Sequence, residues 1–249
     1  MGRQYVAERG SQILKECNRV TDTSDIVIRV LRSNRKSVVG RVLPDSSIEV
    51  RAPLTMTTKR LNEWLDKVEP KFRSMVNECR KTNAYVSDHS SEILYQGKWM
   101  PIKEAESDNQ GYMALMKDGI VYVKSGQSET NVRSQIEILF SNIAQSIFEE
   151  KLHHFSELMK VNCKMWTIGN ARKRHGSCDS NGKIILSWRI VMMSESVMDY
   201  IIVHELAHLK HMNHSKKFYD EVASIFPDWK DRQAAHSKYS NILRCSGWM

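Results

Sequence analysis

The sequence predicts an α+β protein in which a β-rich N-terminal region precedes a mainly helical C-terminal region. Up to about residue 125, short apolar runs alternate with polar residues and are separated by turns that contain glycine or proline, which is typical of strands. From Val132 onward, apolar residues recur every three or four positions, which is typical of packed helices. We therefore predict a β-rich region with a short helix over residues 1–125 and a separate domain over residues 126–249.

Composition indicates a soluble protein of the cytoplasm. Of the 249 residues, 41% are hydrophobic, which is sufficient for a buried core. The five cysteines include no C-x-x-C pair, which argues against a disulfide framework and against an all-cysteine zinc site. The N-terminus lacks the apolar stretch of a signal peptide, and no run approaches the ~18 apolar residues of a membrane span. We therefore expect reduced thiols, a cytoplasmic location and no membrane partner.

The N-terminal region is predicted to combine strands with short helices. Alternating apolar residues over 25–51 predict a small antiparallel sheet, and residues 3–18 before it could form a helix. A second helix, capped at Thr57-Thr58, should end near Pro70, because proline disrupts a helix interior. A further helical piece is predicted over residues 70–81.

Two hairpins and one long helix are predicted next. Within residues 85–125, the pairs Gln96-Gly97 and Asp118-Gly119 separate apolar runs, and Asp-Gly is a good hairpin signal. The polar, glycine-containing stretch at residues 125–130 predicts a boundary or a helix cap. The apolar stripe that starts at Val132 continues for roughly 30 residues and predicts the long packing helix of the second region.

A third hairpin is predicted directly before a second, shorter helix. Asn181-Gly182 lies between β-rich runs in residues 164–188, and this pair favours a type I′ turn. Ser196 with Asp199 three residues on resembles a capping box, so the helix should run from about Val197 to about Met212.

The segment His204–His208, with the sequence H-E-L-A-H, lies within this helix. Histidines at positions i and i+4 share one helix face, so His204 and His208 can bind one zinc ion with Glu205 between them. A match to the H-E-x-x-H pattern alone can arise by chance, so the neighbouring sequence must also support a zinc site. The capped apolar helix, the adjacent hairpin and an available third ligand favour a zinc site.

His211 and His214 compete for the third ligand position. If the helix continued through His211, the three imidazoles would spread along the helix axis, which suits a tetrahedral site poorly. A reversal at Asn213, a residue that tolerates the left-handed conformation, would bring His214 back to the ion. We therefore assign His204, His208 and His214 as zinc ligands, with His211 at the rim as a supporting or solvent-facing residue.

Three protein ligands leave a fourth position for water, as in a catalytic rather than a structural zinc site. Glu205 lies where a general base must lie to accept a proton from that water and pass it to the leaving amine. The predicted reaction is peptide-bond hydrolysis. Tyr219, Arg174 and His175 are candidates for an additional donor to the oxyanion.

Several segments together resemble the YgjP-like zinc metallopeptidases, which are relatives of the SprT and Spartan group. The segments that carry the resemblance are R-H-G-S-C (174–178), G-K-I-I-L-S (182–187), D-Y-I-I-V-H-E-L-A-H-L (199–209) and N-H-S-x-x-F (213–218). The resemblance is strongest over residues 130–245. It implies a compact zincin-like fold, zinc at His204, His208 and His214, and Glu205 as the general base. The chain departs from the family pattern at His175, where an aromatic residue such as tryptophan is usual.

The leading hypothesis is a cytoplasmic zinc peptidase whose strand near residues 184–188 pairs with an extended peptide or protein substrate. A second hypothesis is a DNA-associated protease that acts on DNA-bound or crosslinked proteins. It draws on the Spartan relation and on charge, because residues 151–249 hold 15 Lys and Arg against 9 Asp and Glu, while residues 1–150 hold 22 against 20. A third hypothesis is a non-catalytic metal-binding scaffold.

Overall fold

The computed structural model describes residues 17–20, 26–105 and 114–249, which form two compact units. The first unit contains the described residues up to Asp88 together with Arg244–Gly247, and the second contains His89–Leu243 with Trp248–Met249. The predicted division into domains between residues 125 and 126 falls inside the second unit and stays a prediction. Residues 3–16 of the predicted N-terminal helix lie outside the described residues, and residues 17 and 18 belong to a strand.

The first unit contains a mixed sheet of four strands in the order β1-β2-β4-β3. The strands are β1 (Cys17–Val20), β2 (Val27–Ser33), β3 (Val39–Val42) and β4 (Ile48–Pro53). The two outer pairs are antiparallel, but β2 and β4 are parallel. The prediction of an antiparallel sheet is therefore wrong for the central pair, because the β3–β4 hairpin inserts β4 between β2 and β3.

A single long helix, α1 (Thr58–Ser87), packs on this sheet. The Thr57 hydroxyl accepts a hydrogen bond from the Arg60 amide and caps the helix. The predicted end near Pro70 is wrong, because α1 continues through the proline. Its buried residues lie on both sides of Pro70 and are Leu61, Leu65, Phe72, Val76 and Cys79. Burying a large apolar side chain contributes roughly 1.5–3 kcal/mol, so the residues beyond the proline together outweigh its cost of about 3 kcal/mol in a helix interior.

The second unit begins with a sheet in the order β5-β6-β8-β7. Its strands are β5 (Glu92–Tyr95), β6 (Lys98–Ala105), β7 (Ala114–Lys117) and β8 (Ile120–Lys124). Both predicted hairpins are confirmed, and the pairs Gln96-Gly97 and Asp118-Gly119 all have positive φ, as type I′ turns require. The strand order and directions match those of the first sheet, and each sheet is followed by a long helix. The sheet and following helix of the first unit thus share one topology with the sheet and following helix that begin the second unit, and the sequence does not reveal this likeness.

The predicted long helix is confirmed as α2 (Glu129–Met159), and Ser128 in the polar stretch caps it. Three short strands follow: β9 (Met165–Gly169), β10 (Gly176–Cys178) and β11 (Lys183–Ser187). Strand β11 is the middle strand, antiparallel to β10 and parallel to β9. The β10–β11 hairpin is confirmed, but its type I′ turn is wrong, because Gly182 has positive φ and Asn181 does not. The Asp179 carboxylate instead stabilises this turn by accepting hydrogen bonds from the backbone amides of Asn181 and Lys183.

The remaining helices are α3 (Glu195–Ala207), α4 (Lys216–Ile225) and α5 (Trp229–Cys245), and a 3₁₀ turn at Trp188–Met192 precedes α3. Nine of the 13 residues of α3 are buried, so this helix lies at the centre of the second unit. Among the described helices, none is both long and apolar enough to cross a membrane.

Candidate metal centre

Helix α3 begins and ends earlier than its sequence predicts. It starts at Glu195 with Ser194 at the cap position, so the prediction of Ser196 as the cap is wrong. It ends at Ala207 rather than near Met212. The amides of His208, Leu209 and Lys210 bond to carbonyls only three residues back, which tightens the last turn and leads the chain out of the helix. Asn213 lacks the predicted left-handed conformation, because the reversal has already begun at His208.

This early reversal brings three imidazoles together in what we call the three-histidine cluster. His204 lies in the last turn of α3, His208 follows its end, and His214 lies in the loop before α4. Nε2 of His204 and Nε2 of His214 are 3.0 Å apart, and one nitrogen from each of the three rings lies within 4.8 Å of the others. The Phe218 ring on α4 lies 4.7–4.8 Å from all three imidazole centroids. The cluster has the composition and spacing to hold a metal ion.

Burial and a hydrogen bond favour the neutral form of two imidazoles of the cluster, His204 and His208. Nδ1 of His208 donates to the backbone carbonyl of His211 at 3.1 Å, which leaves Nε2 as the unprotonated nitrogen of a neutral ring. His211 thus contributes to the cluster through its backbone. Burial, with smaller effects from His208 and His214, lowers the pKa of His204 to about 3. Burial also lowers the pKa of His208. Neutral imidazole is the form that binds metals.

The loop that carries His214 is attached to two helices through Lys210. The Lys210 ammonium donates to the carbonyl of Met159 at the end of α2 at 2.6 Å and to Glu221 on α4 at 2.7 Å. Both partners lie outside the loop, so the lysine fixes its path relative to α2 and α4.

The Glu205 carboxylate is buried beside the cluster, with 6% of the residue exposed. Burial raises its pKa to about 7, against a smaller lowering effect from Arg174. The backbone of Gly176 in β10 lies directly against this side chain. A Cβ atom at position 176 would lie only 2.6 Å from Cγ and Cδ of Glu205, so any larger residue would displace the carboxylate.

The other predicted donors are distributed around the cluster. The Tyr219 ring lies 6.1 Å from the His214 ring and stacks on Trp229 at 4.4 Å. Arg174 is exposed and acts on Glu205 through its charge. His175 is buried, and its Nδ1 lies 2.9 Å from Nε2 of His236 on α5.

His236 is a site residue that the motif analysis missed. It lies 61 residues beyond its partner His175, so no local spacing indicates the contact. The available signal is helical periodicity, because Trp229, Gln233 and His236 share one face of α5. That face lies toward Tyr200 on α3, whose hydroxyl is hydrogen-bonded to Gln233.

Strand β11 cannot bind a substrate strand as predicted. Both of its edges are paired, with β10 on one side and β9 on the other. The expectation that residues 184–188 pair with the substrate is therefore wrong.

Comparison with known proteins places the chain among metallopeptidases. A family model described as the YgjP-like metallopeptidase domain matches residues 36–236, so the chain belongs to the YgjP-like family, and the predicted resemblance and peptidase class are confirmed. No curated protein sequence matches the chain. Among solved structures, the zymogen of abylysin from Pyrococcus abyssi is 26% identical, with 39% of this chain and 95% of that chain covered and a TM-score of 0.36. The zymogen of jannalysin from Methanocaldococcus jannaschii is 20% identical, with 37% and 95% covered and a TM-score of 0.34.

Proposed function

We propose that the protein is a zinc-dependent peptidase in which His204, His208 and His214 hold the ion and Glu205 is the general base. The observation that carries this proposal is the convergence of three imidazoles beside a buried carboxylate. Two nitrogens at 2.0–2.1 Å from one tetrahedral zinc ion would be about 3.3 Å apart. The 3.0 Å between the nitrogens of His204 and His214 is close to this spacing. When bound, zinc supplies a Lewis acid that activates water and polarises the scissile carbonyl.

Glu205 then moves the protons of the reaction. Its carboxylate accepts a proton from the attacking water and returns that proton to the leaving amine, which completes cleavage of the peptide bond. Burial raises the pKa of this carboxyl, which favours its uptake of the proton from water. The contact with Gly176 limits where the carboxylate can point, so its orientation is set before the substrate binds.

The substrate we propose is an extended peptide segment of a protein. Strand β10 is an edge strand among the described residues, and its Gly176 lies against the proposed base. A peptide that adds to the outer edge of β10 would bind through main-chain hydrogen bonds, which accept many sequences. The proposed substrate-binding strand is therefore β10 rather than β11.

Replacing the base tests the proposal. Glu205→Gln should keep the zinc content of the wild type and lose hydrolysis, because glutamine has nearly the same shape but does not accept the proton. Metal content is measured by mass spectrometry and cleavage with a broad peptide library. Hydrolysis that persists in Glu205→Gln would remove this mechanism. Zinc-loaded wild-type protein that cleaves no peptide would favour the scaffold hypothesis.

The basic charge of the C-terminal half is partly neutralised within the fold. Lys151 lies 2.7–2.8 Å from Asp199 and Glu195, Lys210 binds Glu221, and Arg189 is buried. Basic side chains that are buried or paired in this way add to the net charge but are poorly placed to contact the phosphates of DNA. The DNA-associated hypothesis stays a prediction, and a salt-dependent shift of labelled DNA by the protein would test it.

A further inference from the structure

A buried histidine pair joins α5 to the strand that covers the proposed base. Nδ1 of His175 and Nε2 of His236 are 2.9 Å apart, so one ring donates and the other accepts a hydrogen bond. The two rings are nearly perpendicular, at 77° with centroids 4.9 Å apart. His175 is 6% exposed, and its backbone carbonyl accepts the amide of Ser187 on β11 at 2.7 Å. His175 is therefore held at its side chain by α5 and at its backbone by the sheet.

The residues on either side of His175 act directly on Glu205. Gly176 presents bare backbone to the carboxylate, and its φ lies outside the left-handed region, so space rather than backbone conformation requires glycine there. Arg174 is the positive charge that acts on the same carboxylate. A shift of His175 would therefore move both the surface and the charge that the carboxylate faces.

We propose that His236 is a positioning residue for Glu205, because its hydrogen bond to His175 holds the neighbouring Gly176 against the carboxylate. This inference rests on the proposed role of Glu205 as general base. His236 acts through His175 rather than on the substrate, since its Nε2 is occupied by that hydrogen bond.

The first test removes the hydrogen bond. His236→Ala should lower kcat by about 10–100-fold, because small misplacements of catalytic groups have effects of this size. KM should change less than kcat, and zinc content should stay at the wild-type level, because neither the proposed ligands nor the pairing of β10 with β11 involves His236. His236→Gln should recover part of the lost kcat, because its amide can also bond to His175. His154→Ala, at an exposed histidine on α2, is the matched control and should be unchanged.

A double-mutant cycle separates positioning from general damage to the fold. If His236 acts only through His175, the variant with both histidines replaced by alanine should lose no more kcat than the worse single variant. Gly176→Ala should give the same loss of kcat with retained zinc, while Ser180→Ala, at an exposed position in the turn between β10 and β11, should not. If His236→Ala does not fold, as judged by thermal unfolding, His236→Gln and Gly176→Ala carry the test.

The outcomes distinguish this inference from the proposed function. If the wild type is active, Glu205→Gln is inactive and His236→Ala has wild-type kcat, the positioning role is overturned and the peptidase mechanism stands. Fully additive losses in the double variant would also overturn it. No hydrolysis by the zinc-loaded wild type would overturn both.

Discussion

Nε2 of His214 lies 3.0 Å from Nε2 of His204, although the two residues are ten positions apart and only His204 is in a helix. The approach depends on the end of α3 at Ala207, since a continued helix would carry His214 away from His204. The loop after α3 is therefore as important to the proposed metal site as the helix that carries the motif.

The third proposed ligand can be tested by comparing His214 with His211. His214→Ala should weaken zinc binding by more than about 100-fold, beyond the 10–100-fold typical of residues that only support ligands. His211→Ala should bind zinc nearly as the wild type does, because His211 contributes its backbone carbonyl. Competition with a chromogenic chelator measures both affinities. Loss of zinc in His211→Ala alone would contradict the assignment.

Lys210 should support zinc binding without contacting the ion. Lys210→Met removes the bonds to Met159 and Glu221, and the loop that carries His214 should lose its fixed path. We expect zinc affinity to fall about tenfold, within the range for supporting residues. Lys216→Met is the matched control, because that lysine also has an acidic partner, Asp220, but its side chain is 91% exposed. Equal zinc affinity in both variants would show that Lys210 is not needed.

Stability should fall in acid because of the buried histidine pair. Burial, followed by smaller effects of His236 and Arg189, lowers the pKa of His175 from 6.5 to about 4. The unfolded chain therefore takes up a proton at higher pH than the folded protein does. The contribution of neutral His175 to the free energy of unfolding is complete above pH 6.5. It is lost as pH falls from 6.5 toward 4, by at most about 1.4 kcal/mol per pH unit.

Urea unfolding of metal-free protein at several pH values between 4 and 7 measures this loss. His175→Phe lacks the titrating group, so its unfolding free energy should fall less steeply over the same range. The difference between the two slopes isolates His175 from the other histidines. Parallel slopes would contradict the predicted effect of burial.

The sequence is sufficient to predict features that depend on local spacing. Residue spacing within one stretch of chain predicts the shared helix face of His204 and His208, the Asp118-Gly119 hairpin and helix α2. Geometry predicts His214 rather than His211 as the third histidine of the site, although the predicted left-handed conformation of Asn213 is wrong. The structure places His214 in the cluster with His204.

Features that depend on distant packing are not predictable in this way. The His175–His236 contact spans 61 residues, and the parallel pairing of β2 with β4 depends on which side of the sheet a hairpin joins. Helix α1 continues through Pro70 because its apolar residues before and after the proline are buried against the sheet. Local helix propensity predicts that the helix breaks at Pro70, but burial of its apolar side chains stabilises the continuous helix.

Arg189 should be among the largest single contributors to the stability of the second unit. The residue is 2% exposed, and its guanidinium donates hydrogen bonds to the Trp248 carbonyl and to Asn170 and lies over the Trp188 ring at 4.3 Å. Arg189→Met removes the charged donor of the Trp248 carbonyl and of the Asn170 amide oxygen, which keeps the Trp188 indole N–H as a donor, and unfolding free energy should fall by about 1.5–3 kcal/mol. Lys173→Met, at an exposed position, should change it by less than about 0.5 kcal/mol. Equal urea midpoints for the two variants would mean that packing around Trp188 and Trp248 stabilises the unit without the charge.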